Sequence, residues 1–193
     1  MTKKYTFISV FPEIFVPFSQ SGIVKKAIDS GLIQIKSFNP RDFLSNKERI
    51  DDKVYGGGPG MVFKSEPIQK CINHAKDTFS GSSKVIHLSA SGATFSAQKA
   101  RELSKEDSLI FLSSRYEGLD QRVIDAEVDM EISIGDYVLT GGEIPSMVLL
   151  EAIIRFIDGV VGDEESVKND SFENALLEPV SYTHLRAHET STY

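Results

Sequence analysis

Ile134–Pro145 reads Ile-Gly-Asp-Tyr-Val-Leu-Thr-Gly-Gly-Glu-Ile-Pro, and the architecture expected of the chain follows from it. Just ahead of it, Met130, Ile132 and Ile134 alternate with Glu131 and Ser133, the period of a strand. Gly135 ends that strand. Gly141 and Gly142 permit a tight backbone path, because glycine accepts positive φ at little cost. Pro145 suits the first turn of a helix, and Met147–Ile157 is strongly apolar. A strand thus enters a glycine-rich loop that opens into a buried helix, where α/β proteins place ligands. A glycine-rich connection with no ligand fits this one loop equally well.

The same alternation of strand and helix extends back to the N-terminus. Tyr5–Val10 is β-rich. Phe11–Ser19 is apolar with two prolines and reads as a broken helix, and Gly22–Asp29 as a helix closed by Gly31. Leu32–Phe38 alternates as a second strand, and Asn39–Tyr55 is charged and expected to be mostly loop. Ser65 is placed as the N-cap of a helix with Pro67 just inside it. Ile68, Cys71, Ile72, Ala75 and Phe79 form that helix's apolar stripe. Lys84–Ser89 and Ser108–Ser113 read as strands. A short helix capped by Ser96 runs to Leu103, and another spans Leu119–Ala126. Strands alternating with helices predict an α/β domain with a mostly parallel sheet and helices on both faces.

Bulk properties narrow the function classes. The chain has 193 residues, 40% of them hydrophobic, which suffices for one domain with a full core. A formal net charge of -7 argues against a general polyanion binder. Two basic groups, Arg41 with Lys47, Arg49 and Lys53, and Arg115 with Arg122, read first as solvated faces. No apolar run has the length of a membrane span and no signal-peptide pattern is present, so a cytoplasmic location is expected. Cys71 is the single cysteine, which excludes an intrachain disulfide and a thiolate metal cluster; its helical spacing places it in the core.

Familiar chemical motifs fail. Gly56–Gly60 carries a central proline and follows no convincing strand, so it is no dinucleotide fingerprint, and there is no Walker A sequence. No Ser-His-Asp arrangement can be argued from His74 or His87, and His87 reads as a sheet histidine. His184 and His188 have zinc-compatible spacing, but the adjoining Glu is misplaced and no apolar face supports a helix. Three loops stand out instead: Ser89–Gly92, Ser114–Gly118 and Gly135–Gly142. Each follows an expected strand, so all three open at one edge of a parallel sheet. There, backbone groups can approach a flat ligand such as an adenosine.

At this point several ordered segments match one family. Arg115-Tyr116-Glu117-Gly118, Ser133–Glu143 and Asp170-Ser171-Phe172 closely resemble the bacterial tRNA (guanine-N1)-methyltransferases, and so do Phe11-Pro12-Glu13 and Tyr55–Met61. The resemblance runs in order from about Tyr5 to Glu178. It implies the knotted (SPOUT) methyltransferase fold, with a deep trefoil knot in the C-terminal part of the sheet. True knots are otherwise nearly absent from proteins. It further implies that S-adenosylmethionine is held by Leu88, Ser89, Ser114, Tyr116, Glu117 and Gly118. Ile134, Gly135, Asp136, Tyr137, Val138, Leu139, Gly141, Gly142 and Pro145 would complete the pocket. Asp170 is then the general base, Arg155 the stabiliser of charge on guanine O6, and Glu117 an aid in placing cofactor and base. A homodimer with sites at the subunit interface, tRNA as substrate and assistance from magnesium are implied as well.

By the same resemblance the chain divides into a cofactor-binding catalytic domain over residues 1–160, a linker carrying the base over 161–178 and an atypical tail over 179–193. A C-terminal tRNA-binding domain is expected to be absent. The family has glycine where this chain has Ser114 and proline where it has Ala90. Glu178 stands where the family reads the neighbouring guanosine. Two other readings fit the residues: a non-catalytic nucleotide- or RNA-binding module, and a knotted methyltransferase acting on another RNA base.

Overall fold

The computed structural model describes residues 2–45, 48–53, 60–79 and 82–162. The elements are β1 (Lys3–Ile8), α1 (Phe15–Ser19), α2 (Gly22–Asp29), β2 (Ile33–Phe38), β3 (Asp51–Lys53), β4 (Met61–Phe63) and α3 (Ser65–Thr78). They continue with β5 (Lys84–Thr94), α4 (Ala97–Leu103), β6 (Ser108–Ser113), α5 (Gln121–Glu127), β7 (Met130–Ser133) and α6 (Glu143–Ile154). Single 3-10 turns lie at Pro12–Ile14 and Pro40–Phe43. Most of Gly56–Gly60 and everything from 163 onward, including Asp170, Glu178 and the tail, lie outside the described residues.

Five strands form one sheet in the order β2-β1-β6-β5-β7, and every neighbouring pair is parallel. A parallel strand covered on both faces needs a continuous apolar run rather than alternation. β6, Ser-Leu-Ile-Phe-Leu-Ser, is buried at every position and lies at the centre. Its pleat sends Leu109 and Phe111 into a core shared with Tyr5, Phe7 and α6. Ile110 and Leu112 enter a second core with Ile8, Val85 and α3. Helices therefore cover both faces, as expected. Cys71 is fully buried in the second core, and burial pushes its thiol up to about 12, which removes it as a nucleophile.

Five elements depart from the sequence reading. β5 does not end at Ser89 but runs to Thr94, because Ser89–Gly92 arches out and pairing then resumes: Ile132 of β7 pairs with both Leu88 and Ala93. β3, expected as loop, pairs with β4 (Met-Val-Phe), which the sequence reading left unassigned, in an antiparallel sheet of two three-residue strands, too short for periodicity to register. Ser65 begins α3 rather than capping it. The Lys64 amide donates to Ile50 O at 2.9 Å, which keeps Lys64 extended and moves the helical turn one residue on. α6 starts at Glu143, four residues before the apolar run begins, and stops at Ile154.

The arch in β5 depends on Gly92. A Cβ there would lie 2.5 Å from both the Glu131 carbonyl carbon and the Ile132 amide nitrogen, which are backbone atoms and cannot swing aside. Gly92→Ala is therefore expected to force β5 and β7 apart at a cost of about 3 kcal/mol. Chemical denaturation would measure it, and an unchanged midpoint would show that the two strands separate freely.

Candidate active site

The Ser89–Gly92 arch within β5 and the carboxyl ends of β6 and β7 carry the three loops singled out in the sequence, and together they enclose a cleft of about 480 Å³. Leu88, Ser89, Ser114, Tyr116, Glu117 and Gly118 line one side of it. Ile134, Gly135, Tyr137, Val138, Leu139, Gly141, Gly142 and Pro145 line the other. Asp136 belongs to the second loop but is not among the lining residues. Arg155 is not brought to this cleft either. It caps the far end of α6, a helix of 12 residues whose first turn forms the cleft wall, so roughly 18 Å of helix separates them.

The second loop folds on Gly135, whose φ of 147° lies in the region that favours glycine and whose added Cβ would meet Tyr137 Cε1 at 2.6 Å. Gly141 and Gly142 have a different reason from the one expected. Neither has positive φ. Gly142 is needed because a Cβ there would stand 2.8 Å from Ser113 Cα and 3.1 Å from Leu88 Cβ, inside the wall between β5 and β6. On the opposite loop, Tyr116 takes a φ of 61°, uncommon for a non-glycine residue, and packs edge-on against Phe63 of β4. The Glu117 amide donates to Met61 O and the Phe63 amide to Gly118 O, so the small sheet supports this loop from behind.

An ion pair clamps the two loops together. Arg115 donates from Nε to Glu143 Oε1 at 3.1 Å and from Nη2 to Oε2 at 3.2 Å. The Ser9 hydroxyl donates to the same Oε1 at 2.6 Å, and Glu143 is only 2% exposed. The Gly142 amide donates to Ser114 O, and Arg115 and Gly141 form an antiparallel bridge. The Arg115 guanidinium also lies 4.5 Å from the centre of the Phe11 ring, with Arg41 at 5.5 Å from the same ring. Arg115 and Arg122 thus make no joint basic patch: Arg122 pairs with Asp120, the N-cap of α5. Arg49 likewise pairs with Asp51. The partner carboxylates, not proximity in sequence, decide where each guanidinium goes.

His87 corrects a second expectation. It is buried in β5, as a sheet histidine should be, but its Nδ1 lies 2.8 Å from Glu131 Oε1 and its Nε2 lies 2.8 Å from Ser114 Oγ. A serine–histidine–carboxylate chain therefore does exist, on the floor of the cleft. Burial lowers the imidazole's pKa against the opposing influence of Glu131, so the ring is neutral at neutral pH. No local motif announces it, since its members are 27 and 44 residues from His87.

The charge of the cleft follows. Its lining includes the carboxylates of Glu117 and Glu131, while the Arg115 cation is neutralised by Glu143. A cationic ligand is favoured over an anionic one. Among the described residues no group of three or more His, Cys, Asp or Glu could hold a metal ion.

Fold and cleft together define an α/β protein whose ligand site lies at the carboxyl ends of a parallel sheet. The chain belongs to the tRNA (guanine-1)-methyltransferase family. Residues 3–192 match the family model "tRNA (Guanine-1)-methyltransferase TrmD", a span that continues past Glu178. The tRNA (guanine-N(1)-)-methyltransferase of Photobacterium profundum is 47% identical over 177 residues, covering 91% of this chain and 71% of the relative. That of Vibrio cholerae is 46% identical, covering 91% and 72%. The crystal structure of the tRNA (m1G37) methyltransferase from Aquifex aeolicus superposes with a TM-score of 0.78 at 36% identity, over 84% of this chain and 73% of that one.

Proposed function

We propose that this protein methylates N1 of guanosine 37, the nucleotide 3′ of the tRNA anticodon, with S-adenosylmethionine as methyl donor. The observation that carries the reading is the cleft itself, built from three small-residue loops and bordered by two carboxylates with no uncompensated cation among its lining residues. Such a lining suits a nucleoside that carries a positive charge. S-adenosylmethionine supplies a sulfonium-bound methyl group that is already electrophilic, so no residue need act as a nucleophile. The arch at Ser89–Gly92 and the loops after β6 and β7 are read as the parts of the trefoil knot.

Guanine N1 carries a proton at neutral pH and is a poor nucleophile. Asp170 removes that proton as general base while Arg155 stabilises the charge that moves towards O6. The N1–carbon bond then forms as the carbon–sulfur bond breaks, and its electrons stay on sulfur. Glu117, at the cleft wall, helps to place donor and base. Arg155 stands at the far end of α6 from its own cleft, which supports a homodimer in which it serves the site of a second copy. Among the described residues no cluster of three or more His, Cys, Asp or Glu offers a cage for a magnesium ion. No helix among the described residues is long and apolar enough to cross a membrane, and the reading places the enzyme in the cytoplasm with its tRNA.

Calorimetry with S-adenosylhomocysteine, followed by methyl transfer to tRNA transcripts, tests this. Binding and transfer to a transcript with guanosine 37, but not to one with adenosine there, are expected. Heat without transfer would favour the non-catalytic module, transfer to the adenosine transcript would favour another RNA base, and no heat from folded protein would overturn the cofactor reading.

A further inference from the structure

Ser114, His87 and Glu131 come from three adjacent strands, Ser114 just after β6, His87 within β5 and Glu131 within β7. All three line the cleft. An ionised carboxylate only accepts hydrogen bonds, so the Glu131 contact requires the imidazole proton on Nδ1. With one proton on a neutral ring, Nε2 is an acceptor, and the contact at 2.8 Å requires the Ser114 hydroxyl to donate to it. That hydroxyl has a single proton. Its oxygen then has only lone pairs to offer the cleft.

We propose that Ser114 is a specificity-determining residue, an acceptor-only hydroxyl whose polarity is set by Glu131 through His87 and which selects a hydrogen-bond donor on the bound nucleoside. The inference rests on the S-adenosylmethionine reading and goes beyond it by assigning a side chain and a direction to one contact. The donor chemistry is an O–H of the sugar or the N–H of the purine amino group. The same three groups in the same order also build serine hydrolases, which stabilise an oxyanion with free hydrogen-bond donors, most often backbone amides. The amides of Glu117, Gly118 and Gly142 are engaged by Met61 O, Arg115 O and Ser114 O, and that of Ser91 by Ser89 Oγ. A positioned acceptor is therefore the chemistry this chain of groups supports.

Two measurements on the full chain test the proposal. Imidazole 15N shifts, assigned by their loss in His87→Phe, should show the Nδ1–H tautomer in the wild type and the Nε2–H tautomer in Glu131→Gln, whose amide can donate to Nδ1. Calorimetry with S-adenosylhomocysteine should show Ser114→Ala binding about tenfold more weakly. Glu131→Gln should lose a similar factor, because its serine proton now turns into the cleft. The analogues are 2′-deoxy, 3′-deoxy and 6-deamino forms of S-adenosylhomocysteine. The Ser114→Ala deficit should vanish for the one that lacks the contacted donor, which identifies that donor. Equal affinity of Ser114→Ala and wild type, an equal deficit for every analogue, or an Nε2–H tautomer in the wild type overturns the proposal. Failure of the folded wild type to bind S-adenosylhomocysteine overturns the cofactor reading and the proposal with it. Binding by the wild type with no change in Ser114→Ala overturns the proposal alone.

Discussion

Arg115→Ala is expected to destabilise the protein by about 3 kcal/mol, the low end of what breaking a buried ion pair costs. Glu143 is 2% exposed and Arg115 supplies two of its three hydrogen bonds, from Nε and Nη2. Truncation leaves the carboxylate buried with only the Ser9 hydroxyl, and that remaining bond places the cost at the low end. For a domain of this size the loss corresponds to a fall in Tm of roughly 6–12 °C. Glu143→Gln in the Arg115→Ala background removes the stranded charge and should recover much of the loss. If Arg115→Ala melts with the wild type, or the second substitution recovers nothing, the pair does not hold the two loops together. The same break should weaken ligand binding, since Arg115 joins the loop after β6 to the start of α6 across the cleft wall.

Asp170→Asn is expected to lower methyl transfer to the guanosine 37 transcript by about 10²–10⁴-fold, the usual contribution of a positioned general base. A carboxamide keeps the size of the side chain but cannot take up the N1 proton. Affinity for S-adenosylhomocysteine should be unchanged, because proton removal concerns the RNA base and not the donor. Single-turnover rates measured with saturating donor separate the two effects. Retained turnover would remove Asp170 as the base, and a parallel loss of S-adenosylhomocysteine binding would give it a structural role instead.

Much of this molecule is legible without coordinates. Continuous apolar runs such as Leu109–Leu112 announce strands covered on both faces, and the spacing of Ile68, Cys71, Ile72 and Ala75 announces a helix with one buried stripe. The loops at Ser89, Ser114 and Gly135 could be placed at one edge because parallel strands all point the same way. What failed to show is equally instructive. β3 and β4 are three residues each, too short for periodicity to register, and they exist because Met61 and Phe63 also bond to the loop at Glu117–Gly118. Ser89–Gly92 marks where pairing pauses, but nothing in Lys84–Thr94 marks where it resumes, because that is set by the approach of Ile132 from another strand. Gly141 and Gly142 could be recognised as necessary, but for the wrong reason: the constraint at Gly142 is the nearness of Ser113 and Leu88, not its own backbone angle.

The chain by itself determined the succession of strands and helices, the edge at which they gather their loops, and the ordered segments that identify the family. Those properties are local, since periodicity, caps and motifs are read within one stretch. Tertiary structure alone decided which side chains meet. Arg115 pairs with Glu143, 28 residues away. Glu143 is bonded by Ser9, 134 residues away, and His87 joins Ser114 to Glu131 on the cleft floor. The physical reason is that hydrogen bonds and ion pairs depend on distance in space. In a parallel sheet the strand ends that lie a few ångströms apart are separated by whole crossovers in sequence.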